Sequence, residues 1–206
     1  MTLQDFLQLP ETEPASEYID EQIIQKPTPK GKHSRLQLRL CDQINQQAES
    51  QKIASAFPAL RCNFGTRSIV PDVAVFKWKR IPFDAAGEVP DDFFLPPDWV
   101  IEILSPEQSS NRVIGNILYC LKYGCQLGWL IDPGDRSILV FRPNQQPQLL
   151  RDDALTTLAQ LRLANPQDRP LQDDWSSLLT SVDLQPIAQE PLLRIETLTM
   201  STADSP

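Results

Sequence analysis

Two acidic residues stand alone in apolar surroundings, Asp72 in Ser68-Ile-Val-Pro-Asp-Val-Ala-Val-Phe76 and Glu102 in Trp99-Val-Ile-Glu-Ile-Leu104. No other feature narrows the choice of fold as much. Both runs are short and rich in β-branched or aromatic residues, the composition of strands. The one around Glu102 is apolar on both faces and so belongs in the middle of a sheet. A buried, ionised carboxylate costs several kcal/mol unless a cation, hydrogen bonds or a proton compensates it. Each acid alone could be satisfied by a private Arg or by capping a loop amide. Two of them on adjacent strands suit a divalent ion, because Mg²⁺ takes one or two carboxylates and keeps water and phosphate oxygens as its other ligands.

The surrounding pattern predicts a mixed α/β (α+β) sheet flanked by helices. Residues 1–16 are polar and acidic and read as a loosely ordered leader. Tyr18 to Ile24 reads as a short hairpin. From Lys32 to Gln51, Leu36, Leu40, Ile44 and Ala48 recur every fourth residue, which makes an amphipathic helix. Leu60 to Phe64, Ser68 to Phe76 and Asp98 to Leu104 form three strands. Helix-start chemistry at Ser105 to Ser110 then opens a helix on Val113, Ile117 and Leu121 that stops at Gly124. Leu127 to Asp132 and Ser137 to Arg142 pair across a tight Pro-Gly-Asp-Arg turn. A last amphipathic piece from Asp174 to Leu179 closes a domain over 17–184, and the proline-containing stretch 185–206 is a tail.

A chain of 206 residues that is 41% hydrophobic and 22% charged belongs to the soluble globular class. It has no apolar run near the roughly 20 residues that cross a bilayer. The expected location is cytoplasmic, with no membrane partner. Cys41, Cys62, Cys120 and Cys125 are scattered and form no CxxC pair, so they read as buried free thiols. His33 is the sole histidine, and no GxSxG is present, which makes a Ser or Cys hydrolase a poor fit. The net charge of −8 argues against a nucleic-acid partner until its distribution is considered. Residues 26–80 carry eleven Lys or Arg against three acids, a local charge of +8. That asymmetry fits a surface facing a polyanion, or a solvated face paired with the acidic segments. Lys30, Lys32, His33 and Arg35 cluster at the start of the first long helix, where unpaired backbone NH groups already favour phosphate.

The ordered set Lys32-His33, Val70-Pro71-Asp72-Val73, Trp99-Val-Ile-Glu102-Ile-Leu-Ser105-Pro106, Tyr123-Gly124 and Gly128-Trp129-Leu-Ile-Asp132-Pro133 resembles the PD-(D/E)XK nuclease superfamily. Within it the likeness is to the Uma-two group of restriction-endonuclease-type proteins common in cyanobacteria, over residues 17–150. The resemblance implies a restriction-endonuclease-like fold with Asp72 and Glu102 as metal-binding catalytic carboxylates. The implied cofactor is Mg²⁺ or Mn²⁺, the partner DNA, and the activity metal-dependent hydrolysis of phosphodiester bonds by an endonuclease. A homodimer stays open. The superfamily's Lys two residues after the Glu is absent, for Leu104 stands there. In this group a cation from the following helix is thought to replace it, and that place falls near Asn116, with Arg112 one turn earlier. Arg112 is therefore the expected catalytic cation, a stabiliser of phosphate charge rather than a base. The alternative is a nuclease fold that binds nucleic acid or a protein without cleaving.

Overall fold

The computed structural model describes residues 1–106 and 108–150. The expected closing helix at 174–179, the domain limit at 184 and the tail lie outside the described residues. A one-turn helix α1 (Leu3–Phe6) leads into the hairpin β1 (Ser16–Ile19) and β2 (Gln22–Gln25). Its turn residues Asp20 and Glu21 both have positive φ, at 50° and 64°, as two-residue hairpins with the twist of β-strands require. Helix α2 (Gly31–Ala48) buries Leu36, Leu40, Ile44 and Ala48, the stripe read from the sequence. Then follow β3 (Ala54–Pro58), β4 (Cys62–Phe64), β5 (Arg67–Ile69), β6 (Val73–Lys77) and, after a 3₁₀ turn at Trp78–Arg80, β7 (Trp99–Ile103). Helix α3 (Ser110–Lys122) and strands β8 (Leu127–Asp132), β9 (Ser137–Phe141) and β10 (Gln148–Leu150) complete the described chain.

Six strands form the main sheet in the order β10-β9-β8-β7-β6-β3, and a smaller sheet runs β2-β1-β5-β4. Strands β7 and β8 are parallel, joined by α3 as the crossover, and the other pairs are antiparallel. The pleat sorts the core into two layers. Val73, Val75, Trp99, Ile101 and Ile103 pack under α2, while Ala74, Phe76 and Val100 pack with Val113, Ile117 and Cys120 of α3. Close packing on that second side requires Gly128, because a Cβ there would sit 2.2 Å from Cγ2 of Ile117.

Three expectations change. The run Ser68 to Phe76 is two strands in different sheets, since Val70-Pro71-Asp72 breaks the ladder and Pro71 has no NH to donate. The short strands β3 and β10 were not anticipated; Ala54-Ser-Ala-Phe-Pro has almost no β-branched content, and it pairs with β6 through position alone. The leader is also tied down. A capping box between Thr2 and Asp5 closes α1, Phe6 is buried against the ring of Tyr18, and Arg61 clasps Glu11 with two hydrogen bonds of 2.9 and 2.7 Å. As expected, all four cysteines are buried and unpaired, and burial pushes the thiols of Cys41 and Cys125 up to about 12.

Candidate active site

Strand register brings the two lone acids together. Val73 pairs with Ile101 and Ala74 with Val100, so continuing the ladder by one residue sets Asp72 opposite Glu102. Glu102 emerges on the α3 side, in a crevice with Val113 and Asn116, while the Asp72 carboxylate, just ahead of β6, reaches the amino-terminal part of α2 at His33. Asp72 is 5% exposed and Glu102 2%. The Ile103 NH donates to Asp72 Oδ2 at 2.7 Å, and the Gln37 side-chain amide donates to the Asp72 carbonyl at 2.6 Å. The break in the sheet is thus bridged through Asp72 itself.

The cation that joins the acids is Lys26. Its Nζ donates to Asp72 Oδ1 at 2.9 Å and to the Val70 carbonyl at 2.7 Å, and lies 3.5 Å from Glu102 Oε2. Lys26 follows β2 directly, so the N-terminal hairpin delivers it from the smaller sheet to the end of the larger one. The same hairpin brings a third acid. Glu17 of β1 is buried, accepting the Val70 NH on Oε1 at 2.8 Å and the Asn116 side-chain amide on Oε2 at 3.4 Å. His33 Nε2 stands 3.1 Å from Asp72 Oδ2.

Three buried carboxylates around one ammonium are unequally satisfied. Burial alone would raise Asp72, but Lys26 and the His33 hydrogen bond outweigh it and hold the carboxyl at about 2. Glu102 goes the other way. Its burial, added to repulsion from Asp72 and Glu17, prevails over Lys26 and lifts it to about 8. Burial likewise raises Glu17 against the pull of Lys26. The three carboxylates in turn outweigh burial at Lys26 and hold its ammonium firmly charged. Glu102 Oε1 and His33 Nδ1 are buried without a hydrogen-bond partner in the described structure.

This donor set accommodates Mg²⁺ or Mn²⁺ in one respect that can be checked directly. Glu102 Oε1 is an unsatisfied hard oxygen beside a second carboxylate, in a cluster of three carboxyl groups around one ammonium. Among the described residues no three His, Cys, Asp or Glu side chains converge closely enough to cage an ion. An ion held by Asp72 and Glu102 would therefore keep water or substrate oxygens as ligands, the usual habit of Mg²⁺.

The other expected site residues divide. A cleft of about 460 Å³ opens onto Asp72, Lys26 and His33. On the far side of Lys26, a narrow crevice is lined by Glu17, Glu102, Asn116 and Arg112. Arg112 is exposed at its rim, and no hydrogen bond joins it to the carboxylates in the described structure. Asn116, considered as the place of the displaced cation, is instead buried as the donor to Glu17. Leu104 packs partly buried against the α3 layer. Lys30, Lys32 and Arg35 lie on the surface around the first turns of α2, with His33 turned inward between them. Lys26 and Glu17 went unnoticed in the sequence. Lys26 lies 46 residues from Asp72, and Glu17 stands among other acids rather than alone.

The sequence model of a family described as "Uma2: Putative restriction endonuclease" matches residues 3–167. A second, described as a domain of unknown function, DUF928, matches residues 148–192. Among solved structures, a crystal structure described as a putative nuclease belonging to DUF820 from Anabaena variabilis ATCC 29413 is 54% identical with a TM-score of 0.71. It covers 73% of this chain and 84% of its own. The architecture shared with that protein is restriction-endonuclease-like. No curated protein matches the chain.

Proposed function

The chain belongs to the Uma2 family of restriction-endonuclease-type proteins, and from that premise we propose that it is a metal-dependent endonuclease hydrolysing phosphodiester bonds of DNA. The observation that carries the proposal is the convergence of Asp72 and Glu102 on a single ammonium, Lys26, which with Asp72 lines a cleft. Asp72 and Glu102 would hold Mg²⁺ or Mn²⁺. When bound, the ion lowers the pKa of a coordinated water and shields the phosphate.

Lys26 fills the role that Leu104 vacates. Because its carboxylate neighbours keep it charged, it stabilises negative charge on the phosphate and takes no part as a base. His33 and Gln37 hold Asp72 in place from α2. Arg112, at the rim on the Glu102 side, is placed to meet a second phosphate oxygen. Lys30, Lys32 and Arg35 contact the backbone outside the cleft.

The test is nicking of supercoiled plasmid in Mg²⁺ or Mn²⁺. Wild type is expected to nick and to stop on chelation, and Asp72→Asn and Glu102→Gln are expected to be inactive. Nicking that survives both substitutions would remove the site from the mechanism. DNA binding by the wild type with no nicking in either metal would instead identify a nuclease fold that binds without cleaving.

A further inference from the structure

The residues expected to form a loose leader build one wall of the active-site cleft. Glu11, Thr12 and Pro14 face Lys26, His33 and Asp72 across it. This wall is anchored along its length. Arg61 clasps Glu11, Thr12 Oγ1 bonds Ser16 Oγ at 2.7 Å, Gln25 donates to the Pro14 carbonyl at 3.1 Å, and the Lys26 NH donates to Ala15 at 2.9 Å. The remaining walls mix Pro27, Pro29 and Val70 with the polar Gln37 and Gln108, and the charged Lys26 and Asp72 lie among them.

Asp72 and Lys26 line this recess, Asp72 only 5% exposed, and Glu102, 2% exposed, lies behind Lys26. The volume of the recess, about 460 Å³, is that of a small-molecule site. A duplex is a stiff rod with a persistence length of about 150 base pairs, so bringing one phosphate out of line requires costly deformation. A single strand rotates at every nucleotide and can present one sugar-phosphate at a time. Resting on the nuclease reading, we propose that the substrate of this site is single-stranded DNA, admitted one nucleotide at a time between the Glu11–Ala15 wall and α2, rather than intact duplex.

A labelled oligonucleotide, alone and annealed to its complement, tests this with the full-length protein. In Mn²⁺ the single strand is expected to be cut at least about tenfold faster, a difference of about 1.4 kcal/mol in barrier. Equal or faster cutting of the duplex overturns the inference. Should neither be cut, the nuclease reading fails, and binding of the same two probes decides this one. At least about tenfold tighter binding of the single strand supports it, and equal binding overturns it. Glu11→Ala, which releases the wall from Arg61, is expected to narrow the discrimination. A ratio unchanged in a folded Glu11→Ala protein would take the preference away from the wall and sink the argument.

Discussion

Replacing Lys26 with Met removes the ammonium and keeps most of the side chain's bulk. Lys26 is 14% exposed, and its partners Asp72 and Glu102 are 6% and 3% exposed at the side chain. Deleting one member of a buried ionic cluster costs about 3–5 kcal/mol, because the charges left behind have no water to turn to. At about 2–4 °C per kcal/mol for a domain of this size, the melting temperature should fall by roughly 10 °C at neutral pH. The loss must depend on pH. Without Lys26, the carboxyls of Asp72, Glu102 and Glu17 all rise, and an acid whose folded pKa is raised is at no disadvantage below its unfolded value. It loses stability as pH climbs from that value through the folded one. Asp72, held at about 2 by Lys26, keeps its share of the stabilisation down to that pH, so the gap between variant and wild type should be smallest near pH 2 and largest above about pH 8. Urea unfolding followed by circular dichroism across that range measures it. A gap under about 1 kcal/mol, or one that does not vary with pH, would refute the electrostatic account. The double variant Lys26→Met, Glu102→Gln provides an internal check. It should recover part of the loss, since one stranded carboxylate is gone.

Glu102→Gln alone should change the pH profile of stability. With its carboxyl raised from an ordinary 4.5 to about 8, wild type loses stability between those values, so the variant should gain on wild type as pH rises through that window. Denaturation midpoints that track wild type throughout would count against it. Gly128→Ala should destabilise by about 1–3 kcal/mol, because the new methyl meets Ile117 and α3 must shift. Thermal melting reads this directly, and an unchanged midpoint would mean that α3 packs less tightly than described. Substituting Lys30, Lys32 and Arg35 together by Ala should weaken DNA binding and flatten its salt dependence. Each lost phosphate contact removes about 0.9 from the slope of log affinity against log salt for duplex DNA, or about 0.7 for a single strand. An unaltered slope would place the backbone contacts elsewhere.

Much of this molecule is legible in local pattern. The spacing of Leu36, Leu40, Ile44 and Ala48 specifies α2 and the face it buries, because a period near four admits only one helical stripe. The apolar context of Glu102 marks a central strand, and the same argument isolates Asp72 as a carboxylate in need of a partner. Both acids do converge. What misled the local reading was continuity. Ser68 to Phe76 looks like one strand, yet Ile69 ends a strand of one sheet and Val73 begins a strand of another, an outcome no window of nine residues contains.

By itself, then, the sequence determined the elements, the two core-facing stripes and the identity of the acids that need compensation. These depend on near neighbours in the chain, whose side chains share a face by simple periodicity. The identity of the compensating cation was decided only in three dimensions. Arg112 stands closer to Glu102 in the chain and on the expected helix, but that helix sets it at a solvent-exposed rim. Lys26 and Glu17 arrive from an N-terminal hairpin whose β1 pairs with β5 at the residue level, Tyr18 against Ser68. An ion pair forms between whichever charges the packed sheets bring within a few ångströms, and separation along the chain has no bearing on that distance.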